Sequence, residues 1–451
     1  MGLSVWALIA YLAVIVIWVT LVKRGIGEAM VIGFLVLCAF GGGAWLELFG
    51  IGLAEAFKQP VVFAALSFTF IGFILTKTGI IEQQVHILNS MLGRLRGGAG
   101  YVSTLASAGF GALTHSASAN AATIGSVTIP WMERSNWKKS TAAAVVAGNS
   151  GNGTVIPPSA AFLIVIGLAN VAPNIDKNMT LVAMFAVAGY CLVWRLAVIF
   201  YFVRRYRIAK VSGDELLPLS RSLRDGWVSL IVYVGIAAPV ILTVGAGAQW
   251  LAAVFGENGD LAVASINILL WIPVLLGIIS LIIGRKMLPQ TARDWFAFMA
   301  STAPRYKDIG ATLVFSFAGS AVLIALGLDK QLGDALGSLN APALVTVALV
   351  ILIIAVVAGP LSATATAATL GGVSFTVLVA AGIHPALAVC AILVAISTEG
   401  ASPPGGPSIF IAAGIAEVNP AKTFAPLILF YVLPFLVIAV IVAFGLIPIP
   451  L

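Results

Sequence analysis

The sequence predicts an all-α polytopic membrane protein, built as an inverted repeat with two re-entrant helical hairpins and two broken transmembrane helices. Three observations predict it. The chain of 451 residues is 61% hydrophobic and only 9% charged, with a mean hydropathy of +1.09; soluble domains carry about 25% charged residues. Ser116–Gly125 reads SASANAATIG and Ser362–Gly371 reads SATATAATLG, identical at seven of ten positions at a spacing of 246 residues. At the same spacing Pro157-Pro158-Ser159 falls on Pro403-Pro404-Gly405, and one residue out of register GLANV (Gly167–Val171) matches GIAEV (Gly414–Val418). The third observation is the placement of charge. With the N-terminus outside, twenty of the Lys and Arg residues fall in cytoplasmic loops, among them Lys23, Arg24, Arg94, Arg96, Lys138, Lys139, Arg204 and Arg205. Lys58, Lys177 and Lys330 lie outside, and Arg195 falls within a span.

The N-terminal framework, 1–56, opens with Leu3–Val22, which lacks an A-x-A-like cleavage site and runs into Lys23-Arg24. It reads as a retained span, since a crossing needs about 20 apolar residues at about 1.5 Å each. The first repeat occupies 57–203. Ile81, Val85, Leu88, Leu92 and Leu95 recur at helical spacing, with Glu82, Gln83, His86 and Asn89 opposite, which predicts an interfacial amphipathic helix. The hairpin, 100–133, is apolar but interrupted by Gly109, Gly111 and the polar stretch Thr114–Asn120; basic residues at both ends place both on the cytoplasmic side. The broken helix, 140–171, unwinds at NSGNGTVIPPS, where glycine permits irregular dihedrals and Pro disfavours helix just before it.

A polar cytoplasmic linker, 204–225, leads to central framework helices, 226–305, in which Trp227–Val244 and Val263–Ile283 read as spans without buried charge. The second repeat, 306–451, has a shorter surface helix (Leu332, Ala335, Leu336, Leu339). Its hairpin, 342–382, turns at Gly359-Pro360, and its broken helix, 385–418, unwinds at TEGASPPGGPS. Ten crossings and two hairpins put both termini outside. One half starts from outside and the other from inside, so the copies are inverted, as in secondary transporters that alternate around one midplane site.

Charge and composition exclude other classes. The net charge of +7 sits in short loops, with no basic stripe and no recognition module, so nucleic acid is not a partner. Cys38, Cys191 and Cys390 are isolated in apolar segments and read as buried small residues. The three histidines are too scattered for a metal site. An enzyme would need a nucleophile–base pair or an acid/base cluster near the membrane face, and none is visible.

Hydroxyls, amides and freed carbonyls are the useful groups. A desolvated Na⁺ needs about five or six oxygens, which helix breaks with Ser, Thr and Asn can supply. Cation candidates in half one are Ser116, Ser118, Thr123, Asn149 and the Gly151 carbonyl, with Asn120 and Asn152 alongside. In half two they are Ser362, Thr364, Thr369, Thr398, Glu399 and Ser402, with Thr366 alongside. The plainer reading of each Ser or Thr is close helix packing. New helix N-termini near Ser159 and Ser408 would suit a carboxylate substrate held without Arg or Lys. Glu399, the one acid inside a break, reads as a cation ligand or proton carrier, or else as a partner for a backbone amide, His115 or His384.

At SASANAATIGSVTIPWM (Ser116–Met132), AAAVVAG (Ala142–Gly148), VIPPSAAFLIVIGLANV (Val155–Val171) and SPPGGPSIFIAAGIAEV (Ser402–Val418), the chain resembles the large membrane subunit of TRAP transporters, the DctM family. The resemblance implies an elevator-type importer of small carboxylates, commonly coupled to Na⁺, with H⁺ the other option. It implies a bacterial inner membrane location, a small four-helix membrane subunit and a periplasmic substrate-binding protein. Cations would bind at the hairpin tips and the unwound segments. The substrate would lie between, against Ser116, Asn120, Asn152, Pro157, Pro158, Ser159, Thr366, Pro403, Pro404 and Ser408. Three departures stand out. The second hairpin of the family commonly carries an Asp a few residues after its Gly, and Gly359–Thr364 has none; Glu399 is itself unusual, as is the doubled Asn of Asn149-Ser-Gly-Asn152. The rival readings are a self-sufficient carrier and a passive channel.

Overall fold

A computed structural model of the chain describes residues 2–58, 60–114, 116–210, 218–243, 245–328, 331, 342–359, 361–403 and 407–451. His115, Pro360, Pro404, linker residues 211–217 and the second surface helix (Leu332, Ala335, Leu336, Leu339) lie outside the described residues. Every regular element among those described is helical. Five helices are long and apolar enough to cross a membrane, or six if Gly245–Ser265 and Leu270–Gly284, bent by 78°, form one span. Shorter apolar helices include Leu3–Ile15, Gly27–Ala39, Gly310–Ala325, Ala343–Ala358 and Pro385–Ala401.

The framework is organised by the 34-residue helix Ala292–Ala325, which packs on Ile26–Ala39 and Trp45–Lys58. Phe34 anchors this contact, with its ring centroid 5.4 Å from Phe49 and 5.5 Å from Phe315. The expected span Val263–Ile283 is not continuous. Helix Gly259–Ser265 stops, and Ile268–Gly284 starts after Asn267, whose carbonyl accepts from the amides of Leu270 and Trp271. Asparagine favours helix starts, which explains the break there.

The surface helix Ile80–Leu92 buries Ile81 and Val85 and exposes Glu82, Gln83 and His86, as its periodicity predicts. Leu95 lies beyond its end and is exposed. Gln84 is buried instead, because its Nε2 donates to the Ser229 carbonyl at 2.9 Å. The end of the linker is itself helical, Leu219–Gly226, and docks on this helix with Ser90 Oγ and Ser222 Oγ 2.5 Å apart.

The first hairpin pairs Gly98–Thr114 with Ala117–Arg134, and Ser116 caps the second arm by accepting from the Ala119 amide. Both of its ends meet the end of helix Lys177–Arg205. Gly97, at φ +70°, packs against Val203 and Trp137, and the Lys138 ammonium lies 5.4 Å from the Tyr206 ring centroid. The chain therefore enters and leaves this hairpin at one end of the fold. The second hairpin pairs Ala343–Ala358 with Ala363–Ala380, capped by Ser362, which accepts from the Ala365 amide.

Each hairpin packs on the broken helix of the other half. Gly125 lies against Ile415 of helix Pro407–Ile415, while Gly371 lies against Val165 and Leu168 at the end of helix Ala160–Gly167. These glycines occupy equivalent positions, 246 residues apart. Asn170 reinforces the second contact, its Nδ2 lying 2.8 Å from the Gly372 carbonyl and 2.9 Å from Thr376 Oγ1. The most apolar stretch of Lys139–Gly167 is 94% buried in protein, against 28% for Leu219–Thr243. Irregular backbone at membrane depth needs this cover, because lipid cannot satisfy it.

Candidate functional site

Both breaks form for the same local reason. Pro157 follows Ile156, which is driven to extended backbone at ψ 116°; Pro403 follows Ser402, at ψ 103°. Ahead of them lie the short helix Asn152–Val155 and the 3-10 turn Ser397–Ala401. After Pro158 the helix restarts under Ser159, whose Oγ accepts from the Phe162 amide at 3.1 Å and donates to the Thr154 carbonyl at 2.7 Å. Ser408 is the second residue of helix Pro407–Ile415 and is buried.

The two breaks cross in contact. A β-carbon on Gly151 would lie 2.0 Å from the Ser397 carbonyl oxygen, and one on Gly400 would lie 2.1 Å from Ser150 Oγ. Gly151 and Ser397 are themselves 246 residues apart, so equivalent positions of the two copies touch. The first hairpin closes on the first break just as tightly. A β-carbon on Gly111 would lie 2.6 Å from the Gly153 nitrogen.

Hydrogen bonds then join hairpin to break. Asn120 Nδ2 donates to the Ser107 carbonyl at 2.8 Å, and Ser107 Oγ lies 2.9 Å from Asn120 Oδ1 and 2.8 Å from the Asn149 carbonyl. Asn149 Nδ2 donates to Thr104 Oγ1 at 2.9 Å. Asn120 is thus held between the hairpin arms, while Asn149 and Asn152 lie fully buried in the break. Ser118 and Thr123 are half-buried on the same arm as Ser116. In the second half, Ser362 Oγ and Thr364 Oγ1 lie 3.0 Å apart at the hairpin tip. Thr366 donates to the carbonyl of the cap Ser362, Thr369 to that of Ala365 and Thr398 to that of Ala395 in the preceding helix, leaving their lone pairs as acceptors. Ser402 packs against the hairpin turn at Gly359, and its buried Oγ has no hydrogen-bond partner among the described residues. Thr369 stands apart from the breaks, lining a small cavity with Tyr11, Leu168 and Asn170.

Glu399 joins three elements. Its carboxylate accepts from Thr154 Oγ1 in the first break at 3.4 Å and from the backbone amide of Ala363, the first residue of the helix capped by Ser362. A carboxylate at a helix N-terminus meets unpaired amides and the positive end of the helix dipole. His384, at the opposite end of helix Pro385–Ile396, is not its partner. Among the described residues no three His, Cys, Asp or Glu side chains come together, so the groups at the breaks are mainly hydroxyl, amide and carbonyl oxygens.

One central residue escapes motif reading. Arg195 is 1% exposed and donates from Nη1 to Asn152 Oδ1, with its guanidinium 4.4 Å above the Phe435 ring. The motifs themselves hold no Arg or Lys, but helix Lys177–Arg205, outside them, brings Arg195 to the first break from the side. A signal was present. Arg195 lies ten residues from the end of that helix, about 15 Å deep and too far in to snorkel easily.

Residues 12–447 match the family described as Tripartite ATP-independent periplasmic transporter, DctM component. The chain belongs to the DctM family. It is 28% identical over 189 residues to the C4-dicarboxylate TRAP transporter large permease protein DctM of Pseudomonas aeruginosa, covering 41% of this chain and 43% of that protein. To the 2,3-diketo-L-gulonate TRAP transporter large permease of Escherichia coli it is 27% identical over 165 residues, 33% of this chain and 38% of that one. To the sialic acid large permease SiaM of Vibrio cholerae it is 26% identical over 171 residues, 36% and 38% of the two chains. The chain thus matches less than half the length of each of these relatives. Three different substrates in those names show that TRAP large permeases differ in cargo.

The DctM-family chain also shares its fold with two solved transporters. The Alcanivorax borkumensis YdaH transporter aligns at a TM-score of 0.63 and 17% identity over 90% of each chain. Neisseria gonorrhoeae MtrF aligns at 0.58 and 18% identity, over 87% of this chain and 84% of that one.

Proposed function

We propose that this DctM-family permease imports a small carboxylate across the bacterial inner membrane by cation-coupled, elevator-type alternating access. It works with a small four-helix membrane subunit and a periplasmic substrate-binding protein. The observation that carries this reading is the crossing of the two breaks at Gly151 and Ser397, with Glu399 reaching across to Thr154. Such a centre brings the oxygens of both halves into one body, as a midplane site between inverted repeats requires. Neutral oxygens with a single carboxylate suit Na⁺, a hard cation. Glu399 supplies, at the tip of the second hairpin, the negative charge that the family commonly carries on the hairpin itself. Asn152 Nδ2 and the helix N-terminus under Ser159 are the donors that would hold the substrate carboxylate.

Reconstitution tests this directly. Uptake of labelled succinate, sialic acid and 2,3-diketo-L-gulonate is measured in proteoliposomes with an inward Na⁺ gradient. Saturable uptake that collapses without Na⁺, without the small subunit or without the binding protein is expected. Gradient-driven uptake by this chain alone would instead make it a self-sufficient carrier, and passive conduction would make it a channel.

A further inference from the structure

We propose that Arg195 is a positioning residue that turns the Asn152 carboxamide so that its Nδ2 donor faces the transported carboxylate; this rests on the carboxylate reading above. A guanidinium has donors only, so the Asn152 atom facing Arg195 is the oxygen, and Nδ2 points the other way. That Nδ2 is buried and has no hydrogen-bond partner among the described residues. A buried donor left unpaired costs about 1–3 kcal/mol, so its retention at a helix break points to a ligand.

Asn149, three residues earlier, is turned the opposite way. Thr104 Oγ1 donates to the Gly100 carbonyl at 3.0 Å, so it must accept from Asn149. The donor of Asn149 is thereby used, and Oδ1 is the buried atom without a partner. One break therefore presents an acceptor suited to a cation at Asn149 and a donor suited to an anion at Asn152. Their neighbours set that polarity.

Arg195 is itself anchored. Pro434 has no N–H for the Phe430 carbonyl four residues before it, and the last span widens into a π turn at Ile428–Val432. The Phe430 carbonyl accepts instead from Trp194 Nε1 at 2.9 Å, one residue before Arg195, and Phe435 stacks beneath the guanidinium. No acidic side chain lies within ion-pair distance of Arg195 among the described residues, so its charge is held by the Asn152 oxygen and an aromatic face.

The test uses the full chain in lipid nanodiscs, following thermal unfolding with Na⁺ and with succinate as the carboxylate probe. Arg195→Met is expected to weaken succinate binding about tenfold or more, while the half-saturating Na⁺ concentration moves less than about twofold. Arg195→Lys, which keeps a donor, recovers part of the loss. Equal weakening of both ligands, or of neither, overturns the assignment. A second arm needs no ligand. Asn152→Asp should melt near the wild type while Arg195 can pair with it, and far lower in the Arg195→Met background, where the carboxylate is buried unpaired. Simple additivity of the two melting shifts overturns the proposal. A wild-type chain indifferent to succinate counts against the carboxylate reading, and the ligand-free arm still decides the part played by Arg195.

Discussion

Glu399, in the second break, is held between Thr154 of the first break and the Ala363 amide of the second hairpin, so its carboxylate links three elements. Glu399→Gln keeps the shape and removes the charge. Loss of a carboxylate at a helix N-terminus costs about 0.3–2 kcal/mol, which the fold tolerates. The expected result is a nearly unchanged melting curve with Na⁺-dependent uptake lost or its half-saturation raised about tenfold; unchanged coupling would leave Glu399 a purely structural cap. Gly151 is constrained by backbone instead of chemistry. Gly151→Ala drives a methyl to 2.0 Å from the Ser397 carbonyl oxygen, and neither main chain can yield cheaply. A destabilisation of about 1–3 kcal/mol or more follows, read as a fall in melting temperature. The place of Glu399 in a membrane break was legible in the sequence, because an acid in a broken apolar segment is rare. Gly151 was visible only as one glycine among many, since its partner lies 246 residues away.

At the scale of elements, the same local rule builds both breaks: an extended residue before Pro, then a fresh helix. Ser159 carries the first restart by accepting from the Phe162 amide and donating to the Thr154 carbonyl. Ser159→Ala should cost about 1 kcal/mol or slightly more, since a cap and a second hydrogen bond are lost together. Hydrogen exchange should rise first at residues 160–163; uniform protection across the helix would contradict the cap's role. The second hairpin is latched through Asn170 to Gly372 and Thr376. Asn170→Leu should speed exchange in Ala363–Ala380 and leave the first hairpin unaffected. Hairpins and breaks were readable from residue pattern alone, because glycine, proline and capping serines act over a few positions. The interruption at Ile266–Asn267 was not, since the surrounding run is uniformly apolar and one asparagine carries little periodic signal.

Across the whole molecule, each hairpin packs on the broken helix of the other half as well as on its own, with Gly125 meeting both Ile415 and Val146 and Gly371 meeting Val165. This packing ties the two hairpins and the two broken helices together, and the framework around Ala292–Ala325 is the part the proposed elevator movement would leave in place. The charge distribution carries its own prediction: both termini face the periplasm. Alkaline phosphatase fused after Leu451 should be active, and a cysteine introduced at Gly2 should react with impermeant thiol reagents in intact spheroplasts. An inactive fusion would reverse the orientation.

The class of the molecule, its internal repeat and the positions of both breaks can be read from the residues alone. Composition, repeated motifs and proline chemistry are local or additive and survive reading one residue at a time. What meets at the centre emerges only on folding: Gly151 on Ser397, Glu399 on the second hairpin, and Arg195 on Asn152. Those contacts join segments far apart in the chain. Their chemistry depends on which end of each side chain its neighbour leaves free, and no spacing along the sequence records that.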